Sequence, residues 1–288
     1  MADRRADLEL ATRAARAAGE IAMHYFGTEL VVHHKSPQQP LTAADLEADA
    51  RLREMLLGVR PDYGWLSEET EDNPDRLQRR RVWIVDPIDG TRSFIAGRPE
   101  FAISVGLAEH GAAVVGVVYN PAREELFWAI RGAGAYVRHG SGAAERLCVS
   151  ERHPGERLVM LASRSDIAAG ELDPLQGWLV EPLGSTAYKL AGVAWGRGES
   201  FLSRGPKSEW DVCAGVLLVQ EAGGRVTDVA GREPRFNSDP PCMLGLVATN
   251  GILHDTLLQA TRALPPTRPL SSRGTLHADA DEEDGSCG

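Results

Sequence analysis

With 288 residues, 43% of them hydrophobic, the chain is long enough to bury a substantial core, as one large domain or two modest ones. A formal net charge of −10 with no lysine and arginine stripe argues against general nucleic-acid binding, because a phosphate backbone would be repelled. No apolar run is long enough to span a bilayer, and Met1-Ala2-Asp3-Arg4-Arg5 leads into a helix without a signal-peptide core. A soluble, cytoplasmic protein with no membrane partner is therefore expected.

Apolar residues recur at helical spacing from about Ala6 to Phe26, and Thr42 or the turn at Leu41 opens a second predicted helix through about Leu57. Strand-like runs follow at Val82 to Asp86, Phe101 to Ala108, Ala112 to Tyr119, Leu126 to Ile130 and Ala135 to Val137, separated by turns as in an antiparallel meander. Near Val149 to Leu158 the rhythm changes to α/β alternation. Strands are predicted at Arg157 to Ala162, Glu199 to Leu202, Arg225 to Asp228 and Leu244 to Ala248. Helices are predicted at Gly184 to Trp195, Trp210 to Ala222 and Ile252 to about Leu264. This divides the chain into an α+β half, residues 1–150, and an α/β half, residues 151–264. The remainder, 265–288, is rich in Pro, Ser, Gly and acid and reads as a disordered, dispensable tail.

Cys148, Cys213, Cys242 and Cys287 show no Cys-x-x-Cys or paired spacing, so neither a disulfide framework nor a zinc site is supported. The histidines are scattered, His33-His34 having no partner at ligand spacing, and Arg79-Arg80-Arg81 reads as a short solvated cluster.

Chemistry concentrates in four acids from three segments: Glu68, Asp86, Asp89 and Asp211. In Trp83-Ile84-Val85-Asp86-Pro87-Ile88-Asp89-Gly90-Thr91 an apolar strand ends in two acids, a stiffening proline and a glycine, delivering carboxylates into a turn where Ile88 can add a backbone carbonyl. If a helix begins there, the Gly90 and Thr91 amides are placed to receive a phosphate. Such a site, rich in hard anionic oxygen and free of sulfur, suits magnesium or manganese rather than zinc, and phosphate chemistry. Taken singly, Asp-Pro-x-Asp-Gly is an ordinary turn, Glu68-Glu69 a solvated pair and Asp211 a first-turn helix acid. Together, in this order, they favour the metal site.

Ser67-Glu68-Glu69, then Asp86-Pro87-Ile88-Asp89-Gly90-Thr91, then Glu209-Trp210-Asp211-Val212-Cys213-Ala214-Gly215 resemble in order and spacing the motifs of the inositol monophosphatase superfamily, the lithium-sensitive magnesium phosphatases. Leu41-Thr42-Ala43-Ala44-Asp45 stands upstream, where the family places another acid. The resemblance runs from about Ala11 to about Ala260. It implies stacked layers of helix, sheet, helix, sheet and helix, with the site where the two halves meet, and it allows a homodimer. It also implies two or three Mg2+ ions, with Mn2+ a substitute, held by Glu68, Asp86, the Ile88 carbonyl, Asp89 and Asp211. Glu69 matches an additional contact, and Asp45 with Thr91 matches the pair that orients the attacking water. The bland alternatives are a helix-surface charge for Asp45 and an N-cap for Thr91.

Substrate preference departs from the inositol enzymes. Seven residues before Asp211, where they carry an acid for ring hydroxyls, stands Arg204; Arg92 follows the Asp-Gly-Thr motif, and Ser67 stands where Gly is common. These features, with Ala162-Ser163-Arg164-Ser165 and Gly184-Ser185-Thr186-Ala187-Tyr188-Lys189, look like the 3′(2′),5′-bisphosphate nucleotidase branch. Arg164, Lys189, Arg204 and Lys207 would then surround a second phosphate, and the Gly184 and Ser185 amides would bind an anion. The expected reaction is release of the 3′-phosphate from adenosine 3′,5′-bisphosphate. The alternatives are hydrolysis of inositol monophosphate or histidinol phosphate, and a non-catalytic, transcription-associated binding module.

Overall fold

A computed structural model describes residues 2–29, 31–36 and 39–264; the acidic tail expected at 265–288 lies outside them, as does Cys287. The first helix, α1 (Ala2–Tyr25), buries Leu10, Ala11, Ala14, Ala15, Ala18 and Ala22, an alanine-lined stripe that lets it lie close to its neighbours. The second, α2 (Ala43–Val59), buries Ala44, Ala48, Leu52 and Leu56 at four-residue intervals, and beside them Asp45 and Asp49. Both helices cover one face of a seven-stranded sheet whose inward residues there include Trp83, Val85, Ile103, Val105 and Val117.

That sheet runs in the order Gly64–Ser67, Arg81–Asp89, Ala102–Glu109, Ala112–Asn120, Glu125–Ile130, Gly134–His139, Glu145–Arg146. From Arg81 onward it is the expected antiparallel meander, but the edge strand Gly64–Ser67 pairs parallel to its neighbour. A second, five-stranded sheet has the order Trp178–Pro182, Leu158–Ala162, Ser200–Ser203, Leu246–Thr249, Arg225–Thr227. Its first three strands are parallel and its last two pair antiparallel. Two short helices, α3 (Thr91–Ile95) and α4 (Arg164–Ala168), each follow a strand end.

The helices α5 (Thr186–Ala194) and α6 (Glu209–Glu221) lie between the sheets, in one core that joins Ile84, Val118 and Phe127 to Phe201, Leu246 and Ala248 through Leu190, Val216 and Leu217. The outer face of the second sheet is covered by the last helix, α7 (His254–Arg262), through Leu257 and Leu258. The layered α+β sandwich expected from the sequence is thus the observed architecture. The spacing of its middle layer is set by Gly106 and Gly116. A Cβ on Gly106 would stand 2.6 Å from Cys213 Sγ, and one on Gly116 2.7 Å from the Ala214 carbonyl oxygen, so α6 rests directly on the sheet backbone.

One expectation fails here. Arg81 is not solvated; it pairs with Asp3, with Asp7 at 3.3 Å and with Glu109 at 3.1 Å, tying α1 to the sheet. Its strand position turns it toward these acids, which sit far away in sequence.

Candidate active site

The parallel pairing of the strand Gly64–Ser67 with Arg81–Asp89 ends just before Asp86. Ser67 is in register with Val85, and the Glu68 amide continues the ladder by donating to the Val85 carbonyl at 3.3 Å, which sets Glu68 beside Asp86. On the other side Asp86 faces Ser104, whose hydroxyl donates to the Trp210 carbonyl at 3.2 Å and brings the first turn of α6, with Asp211, to the same point. One carboxylate oxygen from each of Glu68, Asp86 and Asp211 lies within 4.8 Å of the others.

The strand does not turn off after Asp86, as the sequence suggested, but runs through Asp89. Its register against Ala102–Glu109 shifts between Asp86 and Asp89, a bulge at Pro87-Ile88 where a proline's missing N–H costs no ladder bond. The bulge turns Asp89 toward α5, and its Oδ2 accepts the Ser185 hydroxyl at 2.6 Å and the Ala187 amide at 2.5 Å. Ser185 holds this position at φ 62°, a conformation uncommon for a residue with a side chain, while its hydroxyl also accepts from the Tyr188 amide at 2.9 Å.

Asp45 and Thr91 come together from different helices. The Thr91 hydroxyl stands 3.4 Å from Asp45 Oδ1 and 3.1 Å from the Ile88 carbonyl, and Asp45 Oδ2 accepts the Thr42 amide and hydroxyl at 2.7 and 2.6 Å. Asp45 is 1% exposed, which removes the reading of it as a helix-surface charge. A helix does begin at Thr91, with Gly90 before it at φ 97°. A side chain at Gly90 would stand 3.0 Å from the Glu100 carbonyl and 3.1 Å from the Ser185 amide nitrogen, so the starts of α3 and α5 lie against each other. The acids therefore gather at helix N-termini: Asp45 and Asp211 in the first turns of α2 and α6, Asp89 on the amides of α5. Their positive ends favour negative charge.

Those dipoles do not settle the whole charge. Burial, then Glu68, Asp89 and Asp211, push the Asp86 carboxyl well above the usual carboxylate range. Burial and the neighbouring Asp89 push Asp211 up to about 8, although Lys207 and Lys189 pull it down. A divalent cation would reverse both shifts, and the donors are the hard oxygens that magnesium or manganese takes. The residues fit such an ion.

The substrate residues expected from the sequence are divided. Lys189 is 2% exposed and donates from Nζ to the Leu183 and Ser185 carbonyls at 3.1 and 2.9 Å, inside the fold rather than at a cleft surface. Burial and Lys207 lower its ammonium to about 8. Arg164 forms a two-pronged ion pair with Glu100 at 2.5 and 3.0 Å, and Glu100 also accepts the Gly184 amide at 2.8 Å. Lys207 reaches Thr186 Oγ1 at 3.5 Å, near enough to Asp211 to act on its charge. Arg204 is half-buried just after the strand Ser200–Ser203. Glu69 sits half-buried beside Glu68, its amide donating to Ser67 Oγ at 3.2 Å. Sequence reasoning missed Asp49, Ser104 and Glu100, all of which hold site elements through hydrogen bonds. For Asp49 a signal was present, since it falls one helical turn after Asp45.

A layered α+β fold that gathers Glu68, Asp86 and Asp211 into one acidic cluster suits a metal-dependent enzyme acting on phosphate esters. The match to the inositol monophosphatase family covers residues 3–265. The chain is 36% identical over 268 residues to an inositol-1-monophosphatase of Caulobacter vibrioides, covering 87% of this chain and 98% of that protein. It is 33% identical over 264 residues to a histidinol-phosphatase of Chlorobaculum parvum, with 88% and 96% covered. The crystal structure of extragenic suppressor protein SuhB from Bartonella henselae superposes with a TM-score of 0.78 at 32% identity, covering 90% of this chain and 99% of that one. The chain belongs to the inositol monophosphatase family, whose members are phosphatases acting on phosphomonoesters. Among the described residues no helix is long and apolar enough to cross a membrane.

Proposed function

We propose that the protein is a magnesium-dependent phosphomonoesterase that releases the 3′-phosphate of adenosine 3′,5′-bisphosphate. The observation that carries the metal chemistry is the meeting of Glu68, Asp86 and Asp211 within 4.8 Å. These three, with Asp89 and the Ile88 carbonyl, would hold Mg2+, which supplies activation of water and charge stabilisation at the leaving oxygen. The chain's own part is positional. Thr42 fixes Asp45, Asp45 aligns the Thr91 hydroxyl, and that pair orients the attacking water and takes up its proton. The amides of Gly90 and Thr91 receive the phosphate under attack; the Gly184 amide, expected from the sequence to bind an anion, is instead taken by the Glu100 carboxylate.

The nucleotidase reading rests on Lys207, beside Thr186 and near Asp211, and on Arg204, seven residues before Asp211 where the inositol enzymes carry an acid. A second reading, inositol 1-phosphate, is favoured by the names of the relatives and by the engagement of Arg164 with Glu100 and of Lys189 with backbone carbonyls, which removes two of four expected phosphate partners. Phosphate release compared on adenosine 3′,5′-bisphosphate, inositol 1-phosphate and histidinol phosphate separates them. Highest kcat/KM on the bisphosphate supports the nucleotidase, and preference for inositol 1-phosphate overturns it.

A further inference from the structure

Asp49 lies one turn after Asp45 on the buried face of α2 and is 7% exposed. Its two oxygens are divided between two hydroxyls: Oδ1 accepts from Ser67 Oγ and Oδ2 from Thr70 Oγ1, each at 2.5 Å. Ser67 and Thr70 bracket Glu68 and Glu69. Among the described residues no lysine or arginine forms an ion pair with Asp49. Its capacity to accept twice, in two directions, is what the site uses.

We infer that Asp49 is a positioning residue for the metal loop. One rigid helix then sets two things at once: through Asp45 the Thr91 hydroxyl, and through Asp49 the segment that presents Glu68 and Glu69. The strand Gly64–Ser67 ends at Ser67, and Asp49 holds a hydroxyl at each end of the segment that carries Glu68 and Glu69. Loss of that carboxylate lets Glu68 swing and weakens the cage without removing a ligand. Outer partners of this kind typically alter metal affinity by about 10–100-fold.

This inference rests on the metal-site reading, and the test keeps the two apart. Mn2+ binding to chelator-stripped protein is measured by calorimetry for the wild type, Asp49→Ala, Thr70→Val and Thr70→Ser, alongside thermal unfolding. The expected result is a Kd raised about tenfold or more in Asp49→Ala and about threefold in Thr70→Val, with Thr70→Ser near the wild type because it keeps the hydroxyl. Thr70→Val conserves volume, so it reports on the loop even where Asp49→Ala folds poorly. Equal Mn2+ affinity in wild type and folded Thr70→Val overturns the role given to Asp49. Absence of Mn2+ binding in the wild type itself overturns the metal site.

Discussion

Asp211→Asn should make the metal-free protein more stable while destroying its activity. The Asp211 carboxyl is pushed from 3.8 to about 8 by burial and by Asp89, so the fold resists its ionisation. A group whose folded pKa is raised in this way destabilises the fold progressively as pH climbs from the lower value to the higher, because the unfolded chain has already released its proton. The full shift corresponds to about 5 kcal/mol at pH 8. Asp211 is only half-buried, and solvent screening should reduce this to about 2–3 kcal/mol. Asparagine keeps the shape and removes the charge. Thermal unfolding of chelator-stripped protein at pH 8 should therefore show the variant melting roughly 5–10 °C above the wild type, and the gap should narrow at pH 5. Adding magnesium should close it from the other side by stabilising the wild type. A metal-free variant no more stable than wild type at pH 8, or a gap that widens at pH 5, would refute the electrostatic account of the cage.

Ser185→Gly should relieve the φ 62° backbone while freeing Asp89 from its hydroxyl partner, so activity should fall about tenfold or more with little change in Tm; a parallel loss of both would mean that the serine matters for folding alone. Gly116→Ala should cost about 1–3 kcal/mol in urea unfolding, because the new Cβ meets the Ala214 carbonyl and lifts α6, and unchanged stability would contradict the direct seating of α6 on the sheet. His254, 0% exposed and bonded through both ring nitrogens to Thr227 and Thr249, is held at about 4 by burial and by Arg225. Its neutral form should contribute stability that is complete above about pH 6.5 and is lost as pH falls toward 4; His254→Gln should flatten that acid limb in unfolding curves, and an unchanged limb would count against it.

The acids were legible jointly rather than singly, because Glu68, the Asp86-Pro87-Ile88-Asp89 strand end and Asp211 at a helix start occur in one chain in that order. The main meander and the two central helices were legible from periodicity. The strands Gly64–Ser67 and Trp178–Pro182 were not, being short and carrying Gly or Pro with no alternation. The bulge at Pro87-Ile88 was hidden for a related reason: proline there reads as a turn until the partner strand is seen to continue past it. Roles that depend on distant partners were the least readable. Arg164 resembles a cleft cation until Glu100, 64 residues away, is found beside it, and Lys189 resembles one until its helix is placed between two sheets. Asp49, by contrast, offered its spacing from Asp45, but a second acid on a helix is most often a surface charge.

The central claim is tested most directly by phosphate release from adenosine 3′,5′-bisphosphate and inositol 1-phosphate, using chelator-stripped protein before and after magnesium is restored. Turnover of a phosphomonoester that is absent without the metal and returns with it is the predicted result. Undiminished turnover after stripping, or no hydrolysis of either substrate with magnesium present, would contradict the account.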